Sequence, residues 1–244
     1  MNGVAIEIGP FSIRWYAILI NLGIIVAIFV SRYEAKRNDL NPDDLIDILI
    51  FALPAGIIGA RLYYVLFNLS YYLDYPSEIF KIWHGGLAIH GGLILGILVG
   101  YIYTRIKKIK FLNWLDVVAP GIALAQAIGR WGNFINKEAY GYASNLPWAI
   151  YVDGAYRHPT FLYESLWNIC VAILLIYFLH KRYNYKGQII TSYAIMYSIG
   201  RFWIEGLRTD SLMLGSFRVA QLISLLIIAL ALILKFILKK NNSE

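Results

Sequence analysis

Seven runs of about 20 predominantly apolar residues divide this chain, and that is the length one helix needs to cross the hydrocarbon core of a bilayer. They fall near residues 13–31, 44–67, 86–104, 114–134, 160–180, 188–206 and 217–238. The composition agrees, because 59% hydrophobic against 15% charged residues, with a mean hydropathy of +0.58, lies outside the balance of soluble domains. The expected fold class is an all-α integral membrane protein: a single polytopic domain, 1–244, of seven transmembrane helices joined by short outward-facing loops. No connection between runs is long enough for a soluble domain, and only the polar end Lys239–Glu244 is of low complexity. Residues 1–13 hold no Lys or Arg, so the first run reads as a retained span rather than a cleaved signal peptide.

Lys and Arg collect on alternate ends of the runs: Arg32, Lys36 and Arg37 after the first, Arg105, Lys107, Lys108 and Lys110 after the third. Lys181, Arg182 and Lys186 follow the fifth, and Lys235, Lys239 and Lys240 the seventh. Cytoplasmic loops hold the excess of positive charge, which puts the N-terminus outside and the C-terminus in the cytoplasm. The net charge of +7 is therefore topological rather than a nucleic-acid footprint, since the basic residues share no polar face. The one cysteine, Cys170, lies inside an apolar run, which excludes a disulfide framework and a thiolate metal site. In the third run Gly92, Gly96 and Gly100 recur every four residues and predict a close helix–helix contact.

Ionisable residues at membrane depth are expensive and need a partner or a wet cavity. This chain carries a set: Arg61 in the second run, His90 in the third, Arg130 ending the fourth, Glu164 opening the fifth, Arg201 and Glu205 in the sixth. Apart from Arg61, all map to the outward side and can converge on one site. Tyr197, Arg201, Glu205 and Arg208 are spaced by four, four and three, so they form one polar helix face that must turn to the bundle interior or a cavity. A buried ion-pair network would account for paired charges but leaves three arginines against two acids. Surplus guanidinium near the interface points to an anionic guest, and phosphate suits the planar fork. His90 stands between Gly85–Gly86 and Gly91–Gly92, which clear side chains from around the imidazole. His84, His158 and His180 read as structural. The stretch GRWGNFINKEAYG, 129–141, places Arg130, Asn133, Asn136 and Glu138 where a helix unwinds, offering many hydrogen-bonding groups to a polar ligand.

These residues resemble those of a known family, the bacterial prolipoprotein diacylglyceryl transferases. The similarity runs through RWYAILI, GARLYYV, GGLAIHGG, GRWGNFINKEAYG, RHPTFLYES and YSIGRFWIEGLRTD, six ordered blocks over essentially the whole chain. The resemblance implies a seven-span enzyme of the bacterial plasma membrane with its active site toward the outer face. Its members transfer the diacylglyceryl group of phosphatidylglycerol to the thiol of the lipobox cysteine in a prolipoprotein signal peptide. A thioether forms and glycerol phosphate is released, the first step of lipoprotein maturation. Carried over by motif, the essential histidine is His90 and the phosphatidylglycerol-binding arginines are Arg130 and Arg201. Asn133, Tyr16 and Tyr197 join them at the lipid, with Glu138, Glu164, Glu205, Arg208 and Arg61 in supporting roles. No metal and no organic cofactor is expected, and no nucleic acid. The outward segment Tyr142–Arg157 is shorter than the head region of larger members.

The chemistry fits that inventory. A thiol with a reference pKa near 8.5 is mostly protonated at neutral pH, so a base such as His90 assists its attack. Arginines aimed at the departing phosphate stabilise its charge in a low-dielectric site. The rival from another class is an anionic-lipid transporter or scramblase, which needs a second polar cluster toward the cytoplasm, where Asp116 and Asp47 stand. A structural or assembly protein needs neither the histidine nor the arginines.

Overall fold

A computed structural model describes residues 3–9 and 11–241; the last three residues of the polar end lie outside them. Its body is helical: α1 (Trp15–Arg37), α2 (Pro42–Phe67), a short α3 (Leu69–Asp74), α4 (Ile89–Ile106), α5 (Phe111–Ile135), α6 (Thr160–Lys181), α7 (Gln188–Leu207) and α8 (Val219–Lys240). Six of these are long and apolar enough to cross a membrane: α1, α2, α4, α5, α6 and α8. The sixth run expected as a span is present as α7, 20 residues long, but its polar face lowers its hydropathy below that of the others.

The helices start where local chemistry permits. Asn41 caps α2 by accepting the Asp43 N–H at 3.2 Å, Pro42 takes the first position, and Asp43 and Asp44 sit at the positive end of the dipole. Lys36 and Arg37 close α1, and Lys239 and Lys240 close α8, at the negative ends. Two expected starts move. Residues 13 and 14 belong to a strand, so α1 begins at Trp15, and the positive φ of Gly85 and Gly86 delays α4 to Ile89. The connections are also more ordered than plain loops. Three antiparallel hairpins occur among the described residues: β1 (Val4–Ile8) with β2 (Phe11–Arg14), β3 (Ile150–Val152) with β4 (Ala155–Arg157), and β5 (Met213–Leu214) with β6 (Phe217–Arg218).

The chain divides into two compact units, Asp39–Trp114 and the pair of segments Met1–Asn38 and Leu115–Glu244. In the first, α2 and α4 pack along the glycine stripe. A Cβ on Gly92 would stand 3.2 Å from the Gly56 carbonyl, one on Gly96 3.3 Å from that of Ala52, and Gly59 and Gly91 admit no Cβ at all. Small residues let the two backbones touch, which supplies the packing energy that lipid-solvated helices cannot draw from water.

In the second unit α5, α6 and α7 share a core of Ala119, Ala123, Val171, Ala172, Leu175, Leu179 and Ile189. Gly23 and Gly121 bring α1 against α5. Asp116, 1% exposed, fixes the far end of α7. Its carboxylate accepts the N–H groups of Gly187, Ile189 and Ile190 at 2.6, 2.9 and 2.8 Å and the Tyr183 hydroxyl at 2.9 Å. Those N–H groups are the orphan donors of a helix start, satisfied here from a neighbouring helix. Beside this end of the unit a carboxylate oxygen of the buried Glu34 lies 2.7 Å from His180 Nε2.

Candidate active site

The opposite end of α5 is held to α6 by specific contacts. Trp131 donates its indole N–H to Ser165 Oγ at 3.2 Å, Ser165 donates to the Ala127 carbonyl at 2.9 Å, and Phe134 stacks on Phe161 with centroids 4.6 Å apart. That register sets Arg130 beside Glu164, Nε to Oε2 2.7 Å. From α7, Arg201 reaches the other carboxylate oxygen, Nη1 to Oε1 3.0 Å, and Glu205 one turn along, Nη2 to Oε2 2.8 Å. Arg208 stands 3.7 Å from Glu164 and 3.9 Å from Glu205. The acids are the buried members, with side chains 4% and 3% exposed, while Arg130 and Arg201 keep 20% of theirs accessible. Carboxylates underneath and guanidinium groups above is an arrangement that holds N–H donors toward a guest.

Tyr197, Arg201 and Glu164 line one small cavity with Trp167, Asn168 and Gly200. Gly200 is required there, because a Cβ would enter the Trp167 indole. Tyr197 stacks on Tyr193 at 5.8 Å, and Tyr193 donates to Gln126 Oε1 at 2.8 Å. Tyr16, in the first turn of α1, packs against Gly132, where a Cβ would meet its ring. Next to it Asn133 donates to Glu138 Oε2 at 3.4 Å, and Glu138 returns its backbone N–H to the Asn133 carbonyl at 2.8 Å. The following turn, with Lys137 and Ala139 at positive φ, carries the chain to the end of α7. There Tyr142 N–H meets the Leu207 carbonyl at 3.0 Å and Gly141 bridges Arg208. A Cβ on Gly141 would stand 2.6 Å from that of His158, which explains the final glycine of the signature.

Two residues that the sequence reading passed over belong to this cluster. Asp210 accepts from Arg208 Nε at 2.9 Å and from Nη2 at 2.8 Å. Those hydrogen bonds hold the Asp210 carboxyl below the ordinary carboxylate range. For Arg208, burial would lower the guanidinium, but its bonds and proximity to Asp210, Glu164 and Glu205 raise it instead. The expected surplus of three arginines over two acids is thus corrected: a third acid balances them. The other residue is Arg218, which bonds the carbonyls of Glu205 and Arg208. Asp210 was legible as a carboxylate two residues from Arg208, whereas nothing in the local pattern marks Arg218.

The remaining expected residues lie in the unit Asp39–Trp114. Arg61, 6% exposed, is no anion receptor. Its guanidinium donates to the carbonyls of Glu78, Ile79, Lys81, Gly85 and Gly86, at 2.5, 2.9, 3.4, 2.6 and 3.0 Å, and stacks over Tyr72 at 5.2 Å. This pins the connection from which α4 emerges, and Gly86 leaves the space the guanidinium fills. His90 is exposed in the first turn of α4, 6.1 Å from the Tyr63 ring. Its neighbours Gly91 and Gly92 pack on α2. His84 bonds Glu78 at 2.7 Å, and Lys81 at 2.6 Å, which together hold that carboxyl low. His158 Nδ1 lies 3.2 Å from the Tyr163 hydroxyl, which accepts the Trp148 indole N–H at 2.9 Å. The three border an apolar groove of about 470 Å³. Asp116, the residue a transporter would use at the far end, is committed to the start of α7.

The chain matches the family described as prolipoprotein diacylglyceryl transferase over residues 3–237. It is 54% identical over 244 residues, 100% of this chain and 98% of its relative, to the phosphatidylglycerol–prolipoprotein diacylglyceryl transferase of Clostridioides difficile strain 630. It is 48% identical to the protein of that name from Streptococcus mutans, over 100% of this chain and 97% of the relative. With the one from Finegoldia magna it shares 50% identity over 99% and 97%.

Proposed function

Because the chain belongs to the prolipoprotein diacylglyceryl transferase family, we propose that it moves the diacylglyceryl group of phosphatidylglycerol to the lipobox cysteine of a prolipoprotein signal peptide, the first step of lipoprotein maturation. The observation that carries the site assignment is the arginine cluster, in which Glu164 braces Arg130 and Arg201 from beneath. Arg130 binds Glu164 through Nε alone among the described residues, which leaves its two terminal amino groups for a phosphate.

The protein works as a single polytopic domain with α7 as its seventh span, the N-terminus outside, the C-terminus in the cytoplasm and the active site toward the outer face of the plasma membrane. A polar-faced helix is tolerated as a span when its charges pair inside the bundle, as Arg201 does with Glu164 and Glu205. The lipid headgroup binds at Arg130 and Arg201, with Asn133, Tyr16 and Tyr197 beside them. The cysteine thiol attacks the glycerol carbon that bears the phosphate ester. A carbon–sulfur bond forms, the carbon–oxygen bond breaks, and the electron pair leaves on the phosphate of glycerol phosphate. His90 takes the thiol proton, and the arginines stabilise the charge gathering on the departing oxygen. Glu138, Glu205, Arg208 and Arg61 hold the binding and basic groups in place. No cofactor enters these steps.

The test is product analysis. Purified protein, phosphatidylglycerol labelled in the headgroup glycerol and a lipobox peptide should give thioether and glycerol phosphate in equal amounts. Hydrolysis without thioether, or lipid binding with no product, would remove the transferase assignment.

A further inference from the structure

Arg130, Arg201 and Arg208 are matched one for one by Glu164, Glu205 and Asp210. Such a set offers hydrogen-bond donors but no net charge, and net charge is what distinguishes an anionic headgroup from a zwitterionic one. A seventh charged side chain lies directly behind it. Arg218, half-buried at the end of β6, donates from Nη1 to the carbonyls of Glu205 and Arg208, the latter at 2.9 Å, and to Ser211 Oγ at 3.0 Å. Its Nη2 donates to the Tyr142 hydroxyl at 2.8 Å, and its guanidinium lies 5.8 Å from the Tyr142 ring centroid.

All those partners are neutral, and among the described residues Arg218 makes no ion pair. Its charge is therefore uncompensated, and it is anchored to the backbone of two members of the cluster, where solvent screening is incomplete. We infer that Arg218 adds a positive charge to the otherwise neutral cluster of Arg130, Arg201, Arg208, Glu164, Glu205 and Asp210, and so sets its preference for phospholipids of net negative headgroup charge over zwitterionic ones. This rests on the reading that the cluster holds a lipid phosphate. The bland role for the same contacts is a cap on the end of α7, since its guanidinium satisfies carbonyls there. The two roles separate by substitution: a lysine keeps the charge and loses the fork, whereas a methionine loses both.

The experiment measures direct binding of phosphatidylglycerol and of phosphatidylcholine to the full chain in nanodiscs, alongside transfer kinetics. Arg218→Met should raise KM for phosphatidylglycerol by about fivefold to tenfold, the effect of one screened charge, with a smaller change in kcat. The binding preference for phosphatidylglycerol should shrink by a similar factor, and Arg218→Lys should recover most of it. Tyr142→Phe and Ser211→Ala, which remove only cap contacts, should keep the wild-type preference even if Arg218→Met does not fold. The inference is overturned if lysine behaves as methionine does, if both lipids weaken equally, or if the loss falls on kcat alone. A wild-type protein that prefers phosphatidylglycerol but forms no thioether would remove the transferase reading and leave the binding comparison intact.

Discussion

Glu164 is where removing one group should do most. Its carboxylate, 4% exposed, contacts Arg130 at 2.7 Å, Arg201 at 3.0 Å and Arg208 at 3.7 Å. Glu164→Ala leaves three neighbouring guanidinium groups with Glu205 and Asp210 alone. Removing one partner of a buried ion pair costs about 3–5 kcal/mol, because the charges left behind stay desolvated. For a chain of this length each kcal/mol corresponds to roughly 2–4 °C, so the unfolding midpoint in detergent should fall by roughly 6–20 °C. The variant also carries an unmet positive charge, so millimolar sulfate should raise its midpoint more than that of wild type. Arg130 would lose its only ionic anchor among the described residues, and displacement of about 1 Å is enough to lower kcat/KM about 100-fold. The assay is thermal unfolding at one fixed scan rate with and without sulfate, paired with transfer kinetics. A variant within 2 °C of wild type (about 1 kcal/mol or less) and indifferent to sulfate would refute the view that Glu164 braces the arginines.

Other perturbations have equally definite outcomes. Arg61→Gln frees the carbonyls of residues 78–86, so trypsin should cut after Lys81 faster than in wild type; unchanged cleavage would mean the guanidinium does not pin that connection. Asp116→Ala leaves three helix-start N–H groups and the Tyr183 hydroxyl without their acceptor, a loss of about 3 kcal/mol, visible as a lower midpoint and rapid amide exchange at Gly187, Ile189 and Ile190. Asp210 has its folded-state pKa depressed by Arg208, so its contribution is complete above the ordinary carboxylate pKa and is lost as pH falls through the folded value. Asp210→Asn should therefore be less stable than wild type at neutral pH, with the gap closing in acid; a gap that widens on acidification would contradict the assignment.

The sequence was most readable where one physical demand dominates. Bilayer thickness fixes helix length, so the six helices apolar enough to cross stood out, as did the more polar α7, and the errors fell at Trp15 and Ile89, where a hairpin and positive-φ glycines set the start. The glycine stripe of α4 and the polar face of α7 were visible because helical periodicity writes them locally. What lay hidden depends on which remote backbone groups a side chain reaches. Arg61 reads as an intramembrane charge in need of a partner, and its partners are the carbonyls of a connection about 20 residues away. Asp116 caps a helix 71 residues along, and Arg218 looks like an ordinary interfacial base until the end of α7 is seen beside it. Asp210 changed the charge balance of the site and was near enough in sequence to be weighed.

The most direct test of the proposed chemistry is the rate of thioether formation on a lipobox peptide from labelled phosphatidylglycerol, by wild type and by folded Arg130→Ala, Arg201→Ala and His90→Gln variants. Wild type should form product, either arginine variant almost none, and the His90→Gln rate should recover as pH approaches the thiol pKa. Wild-type rates from either arginine variant would contradict the proposed chemistry.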